Sequence, residues 1–287
     1  MSVPHIFDRK TYALHRLRAA RRGAASFLVE DVAEHLAMRI GTVNRRFQNA
    51  LDLSSRDESF LHLKPSAENW TRSFAWSADE EALPFAPGSF DLVVSVLALH
   101  AVNDLPGALV QIRQCLKPDG LFIAALFGGE TLSELRQAFA AGELDASGGI
   151  SPRVAPFADV RDLGGLLQRA GFALPVADVE RTLVRYRKFD GLVADLRALG
   201  ETNALHERLK KPLSRNVLAA TLARYASEHA EADGRLRATF EVIYLTGWSP
   251  HESQQKPLRP GAAKMRLADA LGTHELPAGE KADPTRR

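Results

Sequence analysis

One cysteine in 287 residues, Cys115, leaves no partner for an internal disulfide and too few thiolates for a zinc ribbon or an iron–sulfur cluster. No window approaches the run of about eighteen apolar residues that a membrane-crossing helix requires. The amino terminus carries no apolar stretch followed by a small-residue cleavage site. These absences predict a soluble, unsecreted chain in a reducing compartment. Twenty glycines and fifteen prolines without period or clustering exclude a collagen-like or low-complexity chain. A net charge of +2 and a pI near 8.7 are too weak an excess to imply nucleic-acid binding. What is present is a chain with 45% apolar residues, enough to bury a sizeable core.

The charge is unevenly placed. Arg9, Lys10, Arg16, Arg18, Arg21 and Arg22 share a stretch with only one acid, Asp8. It reads as the solvated face of a helix or as an arm near the active site. An organellar targeting segment and a nucleic-acid patch are the less favoured readings, because nothing nearby would stack bases.

Apolar residues at helical spacing predict a first helix over about 19–39, ended by Gly41, then a short strand at 50–53 holding Asp52. The polar stretch 54–74 is not parsed. Leu92 to Leu97 reads as a strand covered on both faces. A helix near Leu105 follows, with Asn103 or Asp104 as its cap. Pro118 stops that helix, and Gly120 supplies a turn into a second buried strand, 121–127. Thr131 and Glu134 have capping-box spacing before the next helix. Helices over 159–170, 189–199 and 213–229 and strands over 176–186 and 239–248 complete the pattern. Strand, helix, turn, strand is the unit of an open α/β sheet, whose ligands bind beyond the carboxyl ends of the strands.

The segments Ala78-Asp79-Glu80-Glu81-Ala82-Leu83-Pro84-Phe85, Ser89-Phe90-Asp91-Leu92-Val93-Val94-Ser95 and Leu116-Lys117-Pro118-Asp119-Gly120 resemble class I S-adenosylmethionine-dependent methyltransferases. Phe127-Gly128-Gly129-Glu130-Thr131, Gly149-Ile150-Ser151-Pro152, Pro156-Phe157-Ala158-Asp159 and Gly247-Trp248-Ser249-Pro250-His251-Glu252 narrow the resemblance to the mitochondrial complex I assembly factor 5 family and its bacterial relatives. The resemblance covers about residues 7–251. It implies a Rossmann-like α/β fold: a mostly parallel central sheet with helices on both faces and added helices as a lid. Three regions are expected: an amino-terminal helical segment to residue 45, the α/β domain over 46–250 with a helical insertion at about 189–235, and a peripheral tail from 251. The family also implies S-adenosylmethionine as cofactor and a protein partner, a respiratory complex I subunit among the possibilities. The expected activity is methyl transfer to a protein side chain. Arginine hydroxylation and a cofactor-free assembly role are the alternatives. The compartment would be the cytoplasm of a bacterium or a mitochondrial matrix.

Within that frame Asp52, Ser54, Asp79, Glu80 and His100 are the candidate cofactor-binding residues. The family's glycine loop after the first strand is replaced by Ser54-Ser55-Arg56-Asp57-Glu58, which removes the close backbone approach that glycine permits. Gly129, Glu130, Ser151, Trp248 and His251 are the candidate substrate contacts. Glu130 could receive a guanidinium, and Trp248 with His251 could offer an aromatic wall and a titratable ring. Each has a plainer alternative as a turn, cap or packing residue. No residue is singled out as catalytic. His251 and Glu252 are adjacent and face different ways, so no metal site is expected.

Overall fold

The apolar runs become the middle of one sheet. In a computed structural model, which describes residues 5–22, 27–55, 67–74, 79–255, 269 and 272–274, the sheet contains β1 (Phe47–Ser55), β2 (Ala67–Phe74), β3 (Phe90–Val96), β4 (Leu116–Phe127), β5 (Ala173–Tyr186) and β6 (Leu236–Trp248). Its order is β2-β1-β3-β4-β6-β5. The first four pair in parallel, and β6 runs antiparallel to both β4 and β5. Every residue of β3 is buried, as a strand covered on both faces must be.

Period-two alternation sorts the strand residues between two cores. Leu92, Val94, Ile123 and Tyr244 face one way, toward Leu28, Val32 and Leu36 of a helix over Phe27–Gly41. Val93, Phe122, Leu126 and Ile243 face the other, toward Leu109 and Ile112 of a helix over Leu105–Cys115 and toward Leu163 and Leu167 of one over Val160–Arg169. In chain order the helices are α1 (Arg9–Arg22), α2 (Phe27–Gly41), α3 (Leu105–Cys115), α4 (Ser133–Ser147), α5 (Val160–Arg169), α6 (Phe189–Leu199) and α7 (Arg215–His229). Residues 1–251 and 252–287 are separate compact units.

Several expectations are corrected. The helix expected over 19–39 is two helices, α1 and α2, and α1 begins at Arg9 because Asp8 accepts hydrogen bonds from the Thr11 N–H and hydroxyl. The unparsed stretch contains the last two residues of β1 and all of β2; residues 56–66 lie outside the described residues. Asp104, not Asn103, caps α3, accepting from the Gly107 N–H at 2.9 Å, while Asn103 holds the Phe7 backbone. The helix ends at Cys115 and β4 begins at Leu116, so the expected turn is an irregularity within the strand, where the positive φ belongs to Asp119, at 60°. Gly120 is needed there for space, since a Cβ would lie 2.9 Å from the Lys117 carbonyl.

The capping box is also absent. Leu132, with φ of 55°, precedes α4 without a side-chain cap. The Thr131 hydroxyl donates to the Glu241 carbonyl at 2.9 Å, and Glu134 accepts from the Thr239 N–H at 3.1 Å. Both side chains tie α4 to β6, because the tertiary partner offers better hydrogen-bond geometry than the helix's own first turn.

Candidate functional site

The chain turns sharply after β3. Leu97 has φ of 47°, and a short 3₁₀ turn at Leu99–Ala101 then places His100 beyond the carboxyl end of the strand. His100 is buried. Its Nε2 lies 3.1 Å from Glu201 Oε2 and 3.3 Å from the Tyr12 hydroxyl, which donates to Glu201 Oε1 at 3.0 Å. Phe127 and Phe157 flank the imidazole, with ring centres 4.8 and 5.4 Å away.

Beneath this cluster Arg16 is a fully buried cation. Its Nη2 donates to the Leu97 carbonyl and to the Tyr12 hydroxyl, and lies 3.4 Å from Glu201 Oε1. Burial pulls the Arg16 pKa down, but Tyr12 and Glu201 outweigh it and raise the net value, so the guanidinium stays charged. Arg9, two turns back on the same face of α1, donates to the Ala101 carbonyl and pairs with Glu80. The basic stretch is therefore an arm at the site: two of its arginines hold down the loop after β3.

Beyond His100 opens a cavity of 830 Å³, within the size range of small-ligand sites. Tyr12, His100, Phe127, Phe157 and Glu201 line one part of it. The rest of its wall comes from Phe7, the turn before α4, the segments 153–155 and 202–204, Leu213, α4, α6, α7 and the start of β6. α6 and α7 are the lid expected from the family resemblance.

The predicted residues divide clearly. Asp52 is buried in β1, in register with Arg72 and Val94. Ser54 lies at the end of that strand, and its side chain is outside the described residues. Asp79 is exposed and accepts from the Glu81 N–H at 3.0 Å, shaping its own turn. Glu80 is 1% exposed, and its carboxylate is engaged by Arg9. None of these four lines the cavity, whereas His100 does, so the structure does not bring the five together. Asp52 toward the end of β1 and Asp79 are the carboxylates that would hold S-adenosylmethionine, and residues 56–66 and 75–78, which would complete its cradle, lie outside the described residues.

Among the expected substrate contacts, Gly129 would bring a Cβ to 3.7 Å from the Phe157 carbonyl oxygen, an ordinary contact, and its own carbonyl accepts from Arg136. The close approach belongs to Gly128, where a Cβ would lie 2.4 Å from Glu241 Oε1. Glu130 is exposed and does not line the cavity. Ser151 lines a smaller cavity of 380 Å³ that shares Phe139, Arg153 and Val154 with the larger one. There its hydroxyl donates to Glu143, which also binds the Ser151 N–H and Arg153. Burial works to raise the Glu143 pKa and is outweighed by those donors, so the carboxylate stays ionised.

Trp248 and His251 fall at the opposite end of the strands. β6 is antiparallel, so Val242 pairs with Phe127 at the carboxyl edge while Trp248 pairs with Leu121, six residues back along β4. Trp248 belongs to the packing under that far edge, and the two residues make no part of the His100 site. His229 and Glu231 have the His-x-Glu spacing that a metal site uses, but Glu231 is bound by Arg185 at 2.8 Å, and no metal-binding cluster occurs among the described residues. Cys115 is buried, and burial raises its thiol pKa, which leaves it unreactive.

Tyr12, Arg16, Phe157 and Glu201 are the members that residue patterns did not single out. Phe157 sits in a quoted motif. Glu201 lies 101 residues from His100 in sequence, and no local signal joins them.

The parallel sheet, its antiparallel strand β6 and a site beyond the ends of β3 and β4 define a Rossmann-like methyltransferase fold. Residues 49–124 match the methyltransferase domain family, and the YcgJ protein of Bacillus subtilis superimposes with a TM-score of 0.50 at 12% identity, over 75% of this chain and 98% of that one. The human arginine-hydroxylase NDUFAF5, mitochondrial, is 38% identical over 300 residues, 96% of this chain and 87% of the relative. The Danio rerio protein of the same name is 40% identical over 85% of this chain and 81% of its own. A malonyl-[acyl-carrier protein] O-methyltransferase of Laribacter hongkongensis is 40% identical over 64% of this chain and 59% of its own. The chain belongs to the arginine-hydroxylase NDUFAF5 family, the complex I assembly factor family whose motifs it carries.

Proposed function

We propose that this protein acts on an arginine side chain of a protein partner, received in the part of the cavity that His100 borders, in the course of respiratory complex I assembly. The observation that carries the reading is the His100 cluster. Phe127 and Phe157 present ring faces and edges on which a planar guanidinium can stack. Glu201 supplies a carboxylate for its N–H groups, held in place by Tyr12 and Arg16. His100, bridged to Glu201, can take up or return a proton at Nε2. The names of the mitochondrial relatives support arginine as the target, hydroxylation as the modification and the mitochondrion as the compartment.

Cofactor use is separate from substrate reception. The methyltransferase domain family supports S-adenosylmethionine at the β1–β3 edge, near Asp52 and Asp79. Glu80 is held by Arg9, and no step is routed through that cofactor.

The test is mass spectrometry of complex I subunits from cells carrying the wild-type chain, Glu201→Gln or no chain. A gain of one oxygen atom on one arginine, present with the wild type and lost with Glu201→Gln, is the expected result. A gain of one methylene identifies methyl transfer instead. An assembled complex with no wild-type-dependent mass change sinks the enzymatic reading and leaves an assembly role.

A further inference from the structure

The arginine reading uses only the part of the cavity around His100. Most of the remaining wall is apolar: Leu135 and Phe139 of α4, Val193 of α6, Leu218 and Leu222 of α7, and Leu236 of β6. A guanidinium gains nothing from such a lining, and a polar ligand would lose its hydration there without replacement. Two cations stand on the same lining, Lys188 at the amino-terminal end of α6 and Arg197 two turns along it. Both are exposed, and among the described residues neither makes an ion pair. Lys210 and Lys211, also exposed and not on the lining, lie three and two residues before the lining residue Leu213. Of the other charged groups on the lining, Arg153 is paired with Glu143 and Glu201 with Arg16, which leaves Asp190 as the acid opposing Lys188 and Arg197.

We infer that the apolar part of this cavity is a binding site for a linear acyl chain with an anionic head, the chain lying among α4, α6 and α7 and the head beside Lys188 and Arg197. Apolar length and net positive charge at the lining select an amphiphile of this kind over a neutral lipid or a cationic side chain. The anionic head belongs either to a free fatty acid or to the phosphate of an acyl-phosphopantetheine. The site stands apart from the arginine reading: it uses different side chains, and either can fail while the other holds.

The experiment titrates the full-length protein by calorimetry, below micelle concentrations, with saturated fatty acids from octanoate to tetradecanoate, the matching primary alcohols and the matching acyl-phosphopantetheines. Each added methylene that enters the cavity should tighten binding about four-fold, the equivalent of about 0.8 kcal/mol. The alcohols should bind more weakly than the acids of equal length. Lys188→Glu combined with Arg197→Glu, both at exposed positions, should weaken the anionic ligands about ten-fold or more and leave the alcohols unchanged. Leu222→Arg should abolish chain binding, with its melting temperature as the control for folding. Tighter binding by one of the two anionic series identifies the source of the head. Affinity independent of chain length in both anionic series overturns the site, and so does a charge reversal that weakens acids and alcohols equally. Binding of an apolar peptide with no binding of any acyl series overturns it in favour of a protein segment.

Discussion

Single side chains govern how the lid is held to the sheet. Asp8 sets the start of α1 through the backbone N–H and hydroxyl of Thr11, and these, with Arg208, hold its carboxyl down to about 2. A carboxyl depressed in the folded state contributes stability that is present above its unfolded value and lost as pH falls through its folded one. The contribution of Asp8 should therefore disappear between about pH 4 and about pH 2. Denaturant melts of wild type and Asp8→Asn should differ at neutral pH and converge over that window. A difference that persists below it would assign the Asp8 effect to something other than its ionisation. At the same scale Glu80, a buried acid in an acidic run, is held by Arg9 from 71 residues away.

At the scale of elements, two junctions decide the cavity. α1 is anchored by Arg16, a charge removed from water and satisfied by Leu97, Tyr12 and Glu201. Arg16→Met leaves the Glu201 carboxylate without its cation and should cost about 3 kcal/mol in denaturant unfolding. Adding Glu201→Gln to it should recover part of that loss, because the unpaired charge is gone; a simple sum of the two single losses would refute the coupling. The second junction is the crossing of α4 and α7, where Gly142 lets the backbones meet. A Cβ there would lie 2.5 Å from the Thr221 backbone nitrogen. Alanine improves helix propensity by roughly 1 kcal/mol, yet Gly142→Ala should destabilise by about 1–3 kcal/mol through overpacking. A rise in melting temperature would show that the crossing is looser than drawn. Because α4 and α7 form the apolar wall, the same substitution should also alter acyl-chain binding.

For the whole molecule, the sheet is the rigid member and the elements at its margins are the adjustable ones. β3 and β4 are central and buried, whereas β2 and β5 are edges, β5 with Val176, Val179 and Leu183 exposed. Native-state hydrogen exchange should find the slowest amides in β3, β4 and the middle of β6, with β5 and α1 opening at lower free energy. Uniform protection across sheet and lid would mean that they unfold together and that ligand entry does not require local opening. The two-core arrangement also shows why sheet and lid differ in sequence signal. The sheet is built from continuous apolar runs with glycine and proline between them. The lid is built from ordinary amphipathic helices whose destination no local pattern records.

The residues alone determined a good deal. The runs at 92–97 and 121–127 and the helix at 189–199 were legible because burial on both faces of a strand and 3.6-residue periodicity are local properties. The family followed from motifs spread over most of the chain. The extent of α1, the partners of Thr131 and Glu134, and the site itself were decided only in three dimensions. His100, Tyr12, Arg16 and Glu201 come from α1, the 3₁₀ turn after β3 and the segment after α6, and meet because the sheet orders its strands out of sequence and the lid returns over them. Trp248 and His251 looked suited to the site by composition alone, but the antiparallel direction of β6 carries them to the other edge. Strand direction is a property of the assembled sheet, set by pairing between distant segments, and it is what local chemistry along the chain cannot specify.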